Sequence, residues 1–146
     1  MKKVFKLGSF IDFAGEERQV TFAAVSQELD LVISVKLGNV AIGQDNLLKE
    51  VRIGVAVQSP KDLGKDPNPE LSKIIAEGKA LKEKSCIGKL YSTEKGFING
   101  TVVQVLLDQE LAFFKQNPGK YIKGYNKDKA LYESDPDAYL DKMFDN

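Results

Sequence analysis

Apolar residues alternate with polar or small ones through the first half of this chain, then change to a three-and-four spacing in the second half. From Val4 to Phe13, the bulk of Phe5, Leu7, Phe10, Ile11 and Phe13 predicts a strand, or two short strands joined by a bend or bulge at Gly8-Ser9. Ala14-Gly15-Glu16-Glu17 reads as a turn. Arg18 to Val25 then sets Val20, Phe22 and Ala24 on one side and Thr21, Ala23 and Val25 on the other, a second strand expected to pair antiparallel with the first. Leu29 to Leu37 is a third candidate; Gly38-Asn39 turns it into Val40 to Ile42, and Gly43-Gln44-Asp45-Asn46 makes a further turn. Glu50 to Gln58 alternates most regularly, with Val51, Ile53, Val55 and Val57 opposite Arg52, Gly54, Ala56 and Gln58. Gly54 and Ala56 are too small to cover that second face, so a helix is expected to lie on them; the alternative is close approach of a ligand or partner through Arg52, Gly54 and Ala56.

Turn chemistry over Ser59-Pro60-Lys61-Asp62 and Gly64-Lys65-Asp66-Pro67 interrupts regular structure. Asn68 then stands as an N-cap, with Pro69 in the first helical position and Glu70 in the first turn. The helix begun there should bury Leu71, Ile74, Ile75 and Leu81 and turn Ser72, Lys73, Glu77, Lys79 and Lys82 to solvent. Gly78, which weakens a helix, is expected where the helix meets the sheet. Ile87 to Tyr91 either adds a short strand or bridges to the loop Ser92-Thr93-Glu94-Lys95-Gly96. Asn99-Gly100 alone signals a hairpin, but Thr101 with Gln104 matches a capping box, and Val103, Leu107, Leu111 and Phe114 share a stripe. A second helix is predicted from Val102 to Lys115, closed by Asn117-Pro118-Gly119.

The fold class that follows is α+β, a mostly antiparallel sheet of four to five strands carrying two helices. At 146 residues the chain can bury a core without metal or disulfide help. Residues 1–125 are expected to form this single domain. Residues 126–146 carry three lysines against six acids and should form an acidic, mobile tail. Because the whole chain is neutral, with 21 basic and 21 acidic side chains, the body then carries the balancing positive charge. A single cysteine, Cys86, excludes an internal disulfide framework and suits a reducing cytoplasm. No apolar run has the length of a membrane span, so a cytoplasmic protein without membrane partners is expected.

Candidate chemistry is sparse. The chain has no histidine, which removes the usual general base, the commonest metal ligand and the nucleophile pairs that depend on it. Asp62, Asp66, Glu70 and Asp108 sit where turns, caps and exposed helix faces place acids. Cys86 reads as a small apolar residue. Gly88-Lys89-Leu90 lacks both the upstream glycine and the hydroxyl residue of a phosphate loop. These absences predict a protein that is not an enzyme and that needs no cofactor or metal.

One constellation suggests binding. Lys115, Lys120, Lys123 and Lys127 interleave with Tyr121 and Tyr125, and Lys129 and Tyr132 follow. Lysines neutralise phosphates and tyrosine rings can stack on bases, so single-stranded nucleic acid is the first expected partner; the plainer alternative is a solvated surface segment whose tyrosines pack back on the body through their rings. Beyond it the acidic stretch Glu133 to Asn146, with Tyr139, Asp141 and Phe144, resembles the tails of single-stranded-DNA-binding proteins, which implies recruitment of a protein partner. Phe144 is not terminal here and Lys142 interrupts the acids. Ser59-Pro60-Lys61-Asp62, Ile75-Ala76-Glu77-Gly78-Lys79-Ala80, Asn117-Pro118 and Tyr121-Ile122-Lys123-Gly124-Tyr125 together resemble small accessory proteins of tailed bacteriophages. That resemblance implies a role in the infected cell or virion and hands over no catalytic residue. Two alternatives stand beside nucleic-acid binding: a structural or regulatory module that grips a host or virion protein or a second copy of itself, and a small-ligand binder.

Overall fold

The computed structural model describes residues 2–29, 49–92 and 100–144. Beyond Leu29, the expected third strand, its Gly38-Asn39 turn and the segment Val40 to Ile42 lie outside the described residues. Four strands, β1 (Lys2–Ile11), β2 (Glu17–Glu28), β3 (Lys49–Val57) and β4 (Gly88–Ser92), form one antiparallel sheet in the order β1-β2-β3-β4. Four helices follow or interrupt them: α1 (Pro69–Leu81), α2 (Gly100–Gln116), α3 (Tyr125–Ser134) and α4 (Pro136–Phe144). The architecture is α+β, and among the described residues β1 and β4 are separate edges of an open sheet.

β1 runs without a bulge, in unbroken register from Lys2 opposite Ser26 to Ile11 opposite Glu17. The expected kink at Gly8-Ser9 is absent, because Gly8 serves a different purpose: a Cβ there would stand 2.8 Å from Leu111 Cδ2 of α2. The β1–β2 turn is held by Asp12, whose Oδ1 accepts from the Ala14 and Glu16 backbones, both at 2.9 Å, while Gly15 takes φ +79°.

The period of two gives the sheet two apolar faces. On one, Phe10, Val20, Phe22, Ala24, Val51, Ile53 and Val55 meet Val103, Leu107, Leu111 and Phe114 of α2, the stripe read from the sequence. Phe114 is fully buried, its ring edge-on to Phe10 with centroids 4.9 Å apart. α2 begins at Gly100, so Thr101 lies inside the first turn and not at the cap.

On the other face Ala23 and Ala56 receive Ala76 of α1, with Phe5 alongside. Here the small residues have the effect expected of them. A Cβ on Gly54 would lie 2.3 Å from the Ala76 carbonyl oxygen and 2.4 Å from the Ala80 nitrogen, so α1 rests directly on the β3 backbone. Asn68 caps the helix, its Oδ1 accepting from the Leu71 backbone at 3.1 Å. The predicted inner stripe is nevertheless reversed. Ala76 and Ala80 are the buried residues of α1, whereas Leu71, Ile74, Ile75 and Leu81 are exposed. Gly78 is not the contact point either, since nothing lies within 4 Å of where its Cβ would be. Small residues on both partners bring the backbones together, and that closeness leaves no depth for leucine or isoleucine beneath the helix.

The C-terminal segment departs furthest from expectation. The stretch assigned to a mobile tail forms α3 and α4 as far as Phe144, and Tyr139 is buried. Gly124, at φ +79°, breaks the chain before α3, and Asp135 Oδ1 caps α4 by accepting from Ala138. Phe13, at the β1–β2 turn, gathers Tyr125, Tyr132 and Tyr139 at centroid distances of 5.1, 5.5 and 5.2 Å. Acid content masked an aromatic spacing of seven residues, 125, 132 and 139, that holds the pair of helices to the body.

Candidate functional site

β3 is longer than the strand that covers it. β4 pairs only with Lys49 through Ile53, and the last bond of that ladder runs from Ile87 N to the Ile53 oxygen at 2.8 Å. Past this point the edge of β3 opens into a cleft of about 410 Å³. Val55 and Val57 form its back, Lys79 reaches in from α1, Tyr121, Ile122 and Lys123 come from the connection after α2, and Tyr139 and Met143 come from α4. Arg18, Ser59 and Asp128 complete the polar lining, and the two charged groups are matched internally. Arg18 lies 3.6 Å from Asp12 and donates through Nε to the Gln58 oxygen at 2.9 Å, and Asp128 accepts from Lys142 at 2.5 Å. Lys79 and Lys123 have no ion pair among the described residues, so the mouth of the cleft is electropositive.

The lysines at 115, 120, 123 and 127 are all exposed, as the nucleic-acid reading requires. The tyrosines are not arranged for it. Tyr125 is buried in the main core, and Tyr121 packs on Phe22, Phe113 and Phe114 while its hydroxyl donates to Glu110 Oε2 at 2.8 Å. Neither ring is free to stack on a base; the ammonium of Lys120 instead sits 5.1 Å from the Phe113 ring centre. Of the three residues expected to recruit a partner from a tail, Tyr139 is buried, and Asp141 and Phe144 are exposed on α4.

The proposed ligand face at Arg52, Gly54 and Ala56 is closed, because α1 covers the two small residues. Arg52 is itself buried, with Nη1 3.9 Å from Glu50 and Nη2 3.8 Å from Glu83; its Nε and Nη2 make no hydrogen bond. Glu50 is held by Gln27, whose Nε2 donates to it at 3.1 Å. Cys86 is half-buried and donates from Sγ to the Gly88 oxygen at 3.0 Å. Among the described residues there is no group of three or more Cys, Asp or Glu that could hold a metal, and no helix is long and apolar enough to cross a membrane.

Burial around the cleft raises its phenols above their ordinary value of 10.0. Desolvation is the leading cause for Tyr121, Tyr125 and Tyr139 alike. Glu110 adds to it at Tyr121 and Asp12 at Tyr139, while a hydrogen bond from the Phe13 backbone partly offsets it at Tyr125. The unfolded chain therefore releases these protons first. Stability should hold below about pH 10 and fall as the pH rises beyond it, which denaturation midpoints measured through that range will show. Tyr139→Phe should flatten the fall.

A second surface lies on the outer side of α1. Ile74 is 65% exposed and Leu71 50%, and Ile75 and Leu81 join them around the open position of Gly78. Four large aliphatic side chains on one side of one helix form a contiguous apolar ridge, unlike the scattered apolar residues of an ordinary surface.

Comparison of the chain with family models, curated proteins and solved structures finds no match.

Sequence reasoning missed Val55 and Val57 as edge residues, and missed Lys79, Phe13, Arg18 and Met143. The available signal was the length of the runs, nine residues in β3 against five in β4. A mismatch of that size leaves main-chain groups without a neighbouring strand.

Proposed function

We propose that the protein is a non-catalytic interaction module that self-associates through α1. The observation that carries this reading is the exposed ridge of Leu71, Ile74, Ile75 and Leu81. Its charge pattern favours a second copy as occupant. Glu70 stands at the N-terminal end of the ridge, its side chain 80% exposed beside Lys73 at 3.4 Å, and Lys82 stands exposed at the C-terminal end. Two copies related by a two-fold axis, with their helices antiparallel, set Glu70 of each beside Lys82 of the other and oppose the helix dipoles. Leu71 then meets Leu81 of the second copy, and Ile74 enters the space above its Gly78.

Sedimentation over a wide concentration range is expected to show a reversible dimer that Ile74→Lys abolishes, with the melting temperature unchanged when both chains are measured at concentrations where the parent is monomeric. Glu70→Lys and Lys82→Glu should each weaken the dimer, and the double swap should restore it. A monomer at every concentration, or a dimer indifferent to Ile74→Lys, overturns the reading. Binding of single-stranded nucleic acid is the weaker reading, since it would have to proceed through phosphate contacts of Lys115, Lys120, Lys123 and Lys127 without help from Tyr121 or Tyr125.

A further inference from the structure

We infer that the cleft beside β3 accepts an extended, acidic peptide segment of a partner protein, which adds to the sheet as a new strand along Val55 and Val57. The argument begins with the direction of the main-chain groups. In an antiparallel ladder the N–H and C=O of one residue point to the same side, and successive residues alternate. The Ile53 oxygen accepts from Ile87 on the β4 side, whereas Gln58 N donates to the Gln19 oxygen on the β2 side. Val55 and Val57 therefore aim their N–H and C=O groups away from β2, where β4 no longer runs. Among the described residues nothing hydrogen-bonds to them there.

An open edge in water is ordinary, but this one is recessed. Val55 is only 7% exposed, and the edge stands at the back of the cleft between α1 and α4. Unpaired main-chain groups withdrawn from bulk water cost about as much as a lost hydrogen bond, so a segment that supplies both donors and acceptors is favoured over an apolar ligand. Strand addition at a sheet edge meets this requirement: main-chain bonds give affinity and alternate side chains give selectivity.

The walls define the class of segment. Arg18 is satisfied by Asp12 and Asp128 by Lys142, so Lys79 and Lys123 are the charges left for an incoming chain, and they call for glutamate or aspartate. Val57, Ile122 and Met143 offer apolar contact to the side chains between the acids. This surface is separate from the outer ridge of α1, since Lys79 lies toward the sheet edge.

The test uses the full chain and a short synthetic peptide alternating glutamate with valine and phenylalanine; a control peptide carries lysine in place of glutamate. Amide hydrogen exchange at Val55 and Val57 should be faster in the free protein than at Ala56, which pairs with β2, and slowed about tenfold or more by the acidic peptide alone. Val57→Pro removes one outward donor and leaves the β2 ladder intact, because proline is tolerated where the N–H faces off the sheet. It should weaken peptide binding by about tenfold, the worth of one main-chain hydrogen bond at the upper end of its range. Lys123→Glu, on the exposed rim, should weaken it comparably and leave the melting temperature unchanged. Exchange at Val55 and Val57 that ignores the acidic peptide, or equal slowing by both peptides, overturns the proposal. So does protection already present in the free chain, which would mean that the edge is filled from within.

Discussion

Gly54→Ala is expected to destabilise the protein by about 3 kcal/mol, the upper range for overpacking in a closed core. Alanine for glycine inside a strand ordinarily gains about 0.5–1 kcal/mol, so the sign itself is diagnostic. The added methyl would meet the Ala76 carbonyl oxygen and the Ala80 nitrogen, both main-chain atoms of a helix that cannot rotate out of the way. α1 must lift off the sheet, and the Ala23, Ala56 and Ala76 contact opens with it. Gly78→Ala is the matched control. Its methyl would meet nothing within 4 Å, so it should stabilise the fold by about 1 kcal/mol through helix propensity. Urea midpoints of the two variants should move in opposite directions at unchanged slope. Equal shifts would show that α1 does not bear on Gly54.

Phe114→Ala should cost about 3–5 kcal/mol, the range for deleting a fully buried aromatic. The loss extends beyond the cavity. Phe114 packs against Phe10 and Phe22 in the sheet and against Tyr121, 5.0 Å away, in the wall of the cleft. A fall of roughly 10 °C in melting temperature is expected from the usual conversion for a chain of this size. Phe113→Ala, one position along on a side chain that is 43% exposed and touches Tyr121 and Lys120, should cost much less, about 1 kcal/mol.

The strands and their faces were legible because alternation has one physical meaning in a half-buried strand. Val20, Phe22 and Ala24 lie opposite Thr21 and Ala23 as the pattern requires, and Val103, Leu107, Leu111 and Phe114 form the inner side of α2. α1 was misread by the same logic. Periodicity locates an apolar stripe without saying whether the sheet or another molecule covers it, and here alanine at positions 76 and 80 answers glycine at position 54. The tyrosines admitted two readings, stacking on bases or packing back on the body, and the structure shows the second. Tyr121 and Tyr125 carry a polar tip on an apolar body, and only the fold shows that the bodies face Phe22, Phe114 and Phe13. The cleft was not legible at all. It arises from strand β4 stopping at its contact with Ile53 and from α4 returning to Phe13, both of them long-range events.

That return sets an order of events during synthesis. The β1–β2 hairpin leaves the ribosome well before Tyr139 and Met143, which wall the cleft. The hairpin, β3, α1 and α2 can collapse around Phe22 and Leu107 while Phe13 waits unpartnered at its turn. The cleft at the β3 edge is thus completed only once α4 has been made and has returned to Phe13, after the strands and helices that precede it.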